Sequence, residues 1–246
     1  MARLIDVHAH MHEYDLREVS EILEEDKSIT IVAVSDDLES LGKTLELHEI
    51  FGDRIIPCAG FHPWSIGERS LAEAEEIMRI AGRYGLRCVG EVGLDKRFVD
   101  HTRWEAQVAL FSRFLETARE LDAMVNVHSV GTWRRALAML VEAGVERAVF
   151  HWYTGPQDLI PIMRNYGYMV SINPAVRVQE KHMNIAVIVD ASQIVFESDG
   201  PYNYKGLRLS PLMVRETIRI VASKRGEDPE WLAERALSNS ARLLGA

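Results

Sequence analysis

Several of the chain's nine histidines fall where an imidazole could do chemistry. His8 and His10 close the apolar run LIDVHAH, His62 closes IIPCAGFH, His128 sits late in AMVNVHSV and His151 in RAVFHWYTG. Carboxylates take matching places: Asp6 in the first run, Glu91 and Asp95 in CVGEVGLD, Glu197 and Asp199 in QIVFESDGP. Alternate residues of a strand share a face, so His8 and His10 are expected to point inward, with Val7 and Ala9 facing a helix layer. Two imidazoles at that spacing can chelate one cation, although such a pair alone reads as readily as core histidines. Asp6, one step deeper on the same face, could orient a ligand. Glu91, within Gly90-Glu91-Val92-Gly93, ends an apolar strand, where a carboxylate is costly unless paired or bound to metal. A carboxylate can bridge two cations, which one imidazole nitrogen cannot. Together the four imidazoles and Glu91 suffice for a two-metal cluster. Asp199 adds a carboxylate able to bind metal or accept a proton from an activated water. Glu197 shares its face as a supporting group. Asp95 reads equally as a turn residue or a functional one.

These residues need elements that bring them together. The eight runs begin near residues 3, 29, 55, 88, 123, 147, 168 and 193, spaced for a strand, a crossover helix and two loops. Their nearly continuous apolar character suits parallel strands buried on both faces. The intervening segment 105–122 sets Val108, Phe111, Leu115, Ala118 and Leu121 along one helical face. Eight such units suggest an α/β fold with one (β/α)8 TIM-like barrel spanning residues 1–246 as a single domain, an open doubly wound sheet being the competing arrangement. In a barrel, catalytic groups project from the C-terminal ends of strands, which is where the unusual polar residues fall. Residues 211–244 read as closing helices, with Asp228 capping one and Pro229 in its first turn.

Composition narrows the function. With 28 Lys+Arg against 37 Asp+Glu, the net charge is −9, which argues against a broad electrostatic grip on nucleic-acid backbones while leaving room for a locally positive pocket. No run approaches a membrane span, and the N-terminal residues lack the pattern of a cleaved leader, so a cytoplasmic location is expected. Cys58 and Cys88 lie in apolar runs and read as reduced core thiols. His48 and His182 read as solvent-facing, while His12 and His101 lie on loops near the expected mouth. His62 reads as a substrate contact. Lys96, Arg97 and Lys205 could reach phosphate or be solvated loop charges.

The ordered motifs DVHAH (6–10), GFHP (60–63), GEVGLD (90–95), VHS (127–129), HWYTG (151–155), SINP (171–174), ESDGPY (197–202) and NSARLL (239–244) resemble those of the TatD family of metal-dependent hydrolases, within the amidohydrolase superfamily. The resemblance implies a barrel carrying two divalent ions (Zn, Mn or Mg). By motif, His8 and His10 would bind the first ion, Glu91 would bridge, and His128 and His151 would bind the second. Asp199 would serve as ligand and proton acceptor, and His62 would face substrate. The implied reaction is hydrolysis of phosphodiesters by a metal-activated water, as in 3′-end DNases, with Lys96 and Arg97 as candidate contacts to an anionic substrate such as a DNA end. Hydrolysis of amides or lactones on the same site, or a silent metal-binding protein, are the alternatives. Three positions depart from the family pattern: Val130 stands where an arginine is common, Trp152-Tyr153 where Cys-Phe is usual, and Leu209-Ser210-Pro211 where Asn-Glu-Pro is frequent.

Overall fold

The computed structural model describes residues 3–67 and 70–245. Met1 and Ala2, the start of the stretch read for a leader, lie outside them. Strands and helices alternate along the chain: β1 Leu4–Ala9, α1 Leu16–Glu25, β2 Ile29–Ala33, α2 Leu38–Phe51, β3 Ile55–Pro57, α3 Ser70–Tyr84, β4 Cys88–Gly93 and α4 Trp104–Glu120. The second half continues with β5 Met124–His128, α5 Trp133–Ala143, β6 Ala148–Phe150, α6 Leu159–Asn165, β7 Met169–Ile172, α7 Glu180–Ile188 and β8 Ile194–Phe196. Helices α8 Val214–Arg225 and α9 Pro229–Leu243 follow, after a two-stranded ribbon of β9 Asn203–Tyr204 and β10 Leu207–Arg208.

The main ladder is parallel, in the order β1-β2-β3 and β4-β5-β6-β7-β8. Two short seams join these arcs into a ring. Ala59 pairs with Val89 beside β4, with Ala59 N–H donating to Cys88 O at 3.0 Å and Gly90 N–H to Ala59 O at 2.9 Å. On the other side, Asp199 N–H donates to His8 O at 2.9 Å and His10 N–H to Gly200 O at 2.8 Å. The result is a closed α/β barrel, the first of the two arrangements that the rhythm allowed.

Inside the ring, Val7, Val32, Cys58, Cys88, Met124, Val149, Met169 and Val195 form one apolar cluster, a residue from each strand or its immediate extension. Leu243 of α9 joins it, together with Ile5 and Ile56 near the starts of their strands. Outward-facing residues such as Ile31, Val89, Val127, Phe150 and Phe196 belong instead to the larger core shared with the helices. In α4 the expected face is present, with Phe111, Leu115 and Ala118 buried. Asp228 caps α9 by accepting from the amides of Glu230 and Trp231.

Three expectations are corrected. Val7 faces the interior rather than the helix layer, because the pairing of β1 with β2 is irregular between Asp6 and Ala9 and strict alternation fails there. Cys58 and Cys88 are joined as a disulfide, with Cα atoms 4.5 Å apart. Their separation of 30 in sequence is one βαβ step, which makes them neighbours on adjacent strands. His182 is wholly buried and His48 is half-buried, its ring Nδ1 lying 2.7 Å from Ile55 O. No helix among the described residues is long and apolar enough to cross a membrane.

Candidate metal centre

The seams that close the barrel also deliver its polar residues to one end. Glu91 is 1% exposed. Its backbone passes so close to the preceding strand that a Cβ on Gly60 would overlap the Gly90 carbonyl and the Glu91 amide. Asp199 holds a left-handed backbone conformation, φ +55°, as the chain turns over the mouth after β8. For a residue with a side chain that conformation is uncommon, and it persists only where surrounding contacts impose it.

His8 Nε2 lies 3.4 Å from Glu91 Oε2 and 3.3 Å from Asp199 Oδ1. His10 Nε2 lies 3.4 Å and 3.5 Å from the same two atoms, and 3.2 Å from His8 Nε2. On the other side of Glu91, Oε1 is 2.7 Å from His128 Nδ1, 3.4 Å from His62 Nε2 and 3.8 Å from His151 Nε2. Among the described residues, candidate ligand atoms gather in four sets: His8–His10–Glu91, His8–His151–Asp199 and His62–Glu91–His128 at the centre, and His10–His12–Glu13–Asp36 beside it. His151 thus groups with His8 and Asp199, its ring stacked on His8 at 3.8 Å, whereas its ring is 6.4 Å from that of His128.

Each inward nitrogen belongs to a ring whose other nitrogen faces a protein oxygen. Asn126 donates through Nδ2 to Val7 O, which orients its Oδ1 as the acceptor for His8 Nδ1 at 2.8 Å. His10 Nδ1 is 3.2 Å from Asp36 Oδ1, His151 Nδ1 is 3.0 Å from Glu197 Oε1, and His128 Nε2 is 2.9 Å from Asp95 Oδ2. In the neutral rings these partners hold the proton on the outer nitrogen and leave a lone pair on the inner one. Four lone pairs then face two carboxylates, an arrangement that repels unless positive charge lies between them. A proton or a metal cation meets that need, and the imidazole–carboxylate donor set suits divalent transition ions. His62 is built the opposite way. Its Nδ1 accepts the Trp64 amide at 3.1 Å, so the neutral ring carries its proton on Nε2, which lies 3.1 Å from His128 Nδ1.

The electrostatics follow from the same contacts. Burial opposes the charged form of His8, but Glu91, Asp199 and Glu197 outweigh it and raise its pKa to about 9. His128 reaches about 9 in the same way, against its own burial, through Asp95 and Glu91. Burial would raise Glu91, yet His62, His151 and His8 hold it well below the usual carboxylate range. Asp199 is likewise held low, its burial outweighed by His151, His10 and His8. Burial lowers His62, in keeping with its neutral ring.

The remaining expected residues divide. Asp6 touches no imidazole ring; its Oδ1 accepts the amides of His8 and Ser198, tying β1 to the end of β8, and burial raises its pKa to about 7. Asp95 serves both of its readings: Oδ1 accepts the Arg97 and Phe98 amides in a turn while Oδ2 holds His128. Arg97 lines the pocket above the centre, whereas the Lys96 ammonium sits over the Trp104 ring at 4.3 Å, outside that lining. Lys205 Nζ is 5.5 Å from the Tyr204 ring centroid, and His101 is exposed. His12 Nε2 is 3.3 Å from Asp36 Oδ2. Asp36 and Asn126 were not anticipated. Asp36 directly follows the second apolar run, and Asn126 is a polar residue embedded in the fifth; both positions carried a signal.

A parallel barrel with imidazoles and carboxylates gathered at the C-terminal ends of its strands defines a metal-dependent hydrolase. The family model described as TatD related DNase matches residues 5–245, and the chain belongs to that family. A human deoxyribonuclease, TATDN3, is 27% identical, covering 98% of this chain and 94% of its own length. An uncharacterized metal-dependent hydrolase of Haemophilus influenzae is 26% identical, over 82% of this chain and 83% of its own. Among solved structures, the TatD homolog YJJV from Escherichia coli shares the fold at a TM-score of 0.88, with 21% identity over 100% of this chain and 99% of that one.

Proposed function

We propose that the protein hydrolyses phosphodiester bonds, at an unpaired DNA end, with two divalent ions held by His8, His10, Glu91, His128, His151 and Asp199. The observation that carries this reading is the convergence of four inward imidazole nitrogens on Glu91 and Asp199, each ring with its outer nitrogen beside a protein oxygen. Bound divalent ions would supply Lewis acidity at the phosphoryl oxygens and a water of lowered pKa. The chain's own residues do the rest. Asp199, held as a carboxylate, takes the proton of the attacking water. His62 presents Nε2–H as a donor to a phosphoryl or leaving oxygen. Arg97 meets substrate negative charge at the mouth, and Glu91, whose two oxygens face different imidazoles, would hold both ions. The name of the human relative supports the choice of nucleic acid over amide or lactone.

The test is release of nucleotides from single-stranded DNA in Mg²⁺ or Mn²⁺. Release that is lost in Asp199→Ala, while that variant keeps its fold by circular dichroism, is the expected result. Turnover confined to lactones or amides, or none on a broad panel at full metal occupancy, overturns the proposal.

A further inference from the structure

Beside the centre, β1 runs into a short turn, Met11–Glu13, anchored by the fully buried Met11 side chain. That anchor sets the next two residues, His12 and Glu13, against Asp36 of the adjoining β2–α2 loop. The loop is itself fixed: the Asp36 amide donates to Ser40 Oγ at 2.8 Å, and the Asp36 carbonyl accepts His62 N–H at 2.9 Å. One ligand atom from each of His10, His12, Glu13 and Asp36 lies within 4.8 Å of the others. The His12 side chain is only 9% exposed. Its Nδ1 is 3.3 Å from Val34 O, which in the neutral ring keeps the proton on that nitrogen and leaves Nε2 as a lone pair. That lone pair points at Asp36 Oδ2, 3.3 Å away. No Lys or Arg among the described residues pairs with either acid. The Asp36 carboxylate meets only the His10 and His12 rings, and the Glu13 side chain has no hydrogen bond or ion pair there.

We propose that His12 Nε2, Asp36 Oδ2 and a Glu13 carboxylate oxygen hold a further divalent transition ion, beside the two-metal centre and separate from it. One imidazole with two carboxylates is a donor set that zinc or manganese takes readily, and three protein donors leave room for water. A single divalent ion cancels both negative charges and removes the conflict between the His12 lone pair and Asp36. A proton on His12 would remove the conflict but leave one charge over, with Glu13 still unpaired. His10 is not a fourth donor, because its Nε2 already faces Glu91 and Asp199. Asp36 is therefore divided, Oδ1 toward His10 and Oδ2 toward the ion. Glu13 and Asp36 also line the pocket above the centre, so the ion converts an acidic wall, which would repel an anionic substrate, into a neutral one. The assignment does not depend on which bond the centre cleaves.

The experiment counts zinc. Stripped native protein, His12→Gln and Glu13→Gln are equilibrated with the same excess of free Zn²⁺, and bound zinc per chain is measured by mass spectrometry of the digested protein. Each variant is expected to carry one ion fewer than the native chain. A count unchanged in either variant overturns the site. Because His12 is largely buried, a second measurement avoids substitution altogether: native crystals grown with Zn²⁺ are measured on both sides of the zinc absorption edge. An anomalous peak bounded by His12, Glu13 and Asp36 is expected, and peaks confined to the two-metal centre overturn the site. Neither readout involves turnover, so loss of this site leaves the phosphodiesterase reading standing, and failure to release nucleotides leaves this site standing.

Discussion

Each imidazole of the centre is aimed by a neighbour as much as by its own strand. Asp95 shows what such a neighbour does: one oxygen holds His128 Nε2 and the indole of Trp64, while the other fixes the turn after β4. Replacing Asp95 with Asn removes the charge that favours the Nε2–H tautomer of His128 and can reverse the contact. Metal affinity is expected to fall about 10–100-fold, the usual cost of losing such a partner, read by titrating metal into stripped protein. The inward residues His8, His10, Glu91, His128, His151 and Asp199 were legible because polar residues at the ends of buried strands are conspicuous against apolar runs. Their partners were less so. Asp36 sits beyond a run with no histidine of its own, and it reaches His10 because β1 and β2 pair side by side. Lys96 and Arg97 are adjacent in sequence yet diverge in space, because the turn held by Asp95 sends one toward Trp104 and the other toward the pocket.

At the level of elements, the sequence located all eight strands and overestimated their length. The run IIPCAGFH yields a strand only over Ile55–Pro57, since beyond Pro57 the chain narrows to the single Ala59–Val89 pairing and then bends to present His62. Apolar periodicity reports burial, and those extensions are buried while pairing only at isolated points. The glycines mark where the elements must touch. Gly60→Ala drives a methyl into the backbone beside Glu91 and is expected to cost roughly 1–3 kcal/mol by overpacking, visible as a lower urea midpoint with an unchanged slope. Gly82→Ala is the contrasting case. It lies on an exposed face of α3 with nothing within 4 Å of a built Cβ, and should gain about 0.5–1 kcal/mol in the same measurement.

For the molecule as a whole, two buried groups set opposing responses to acid. His182 Nε2 accepts the Asn173 amide, and burial lowers the ring's pKa from 6.5 to about 4. The unfolded chain takes up that proton first, so this contribution is present above pH 6.5 and lost as the pH falls toward 4, on the order of 3 kcal/mol in full. Asp6 runs the other way. Its carboxyl, raised from 3.8 to about 7 by burial, favours the folded state once protonated, and that stability is lost as the pH rises from 4 through 7. The native profile should therefore be flatter between pH 4.5 and 6.5 than either group alone would give. Denaturant melts of His182→Gln should show relative stability rising on acidification, and those of Asp6→Asn a steeper fall. Neither group was read this way from sequence: His182 lies in a helical segment with nothing to mark it as interior, and Asp6, read as able to orient a ligand, instead accepts the His8 and Ser198 amides.

The seam between β1 and β8 also sets an order of events during synthesis. His8 and His10 leave the ribosome early, but the oxygen they face on Asp199, and the Gly200 carbonyl that receives the His10 amide, arrive only when the eighth strand has been translated. Leu243, which fills the base of the ring, follows later still. A nascent chain therefore carries exposed imidazoles through most of its elongation, and early capture of a stray ion by that tandem pair would have to be undone, or incorporated, when the last strand docks.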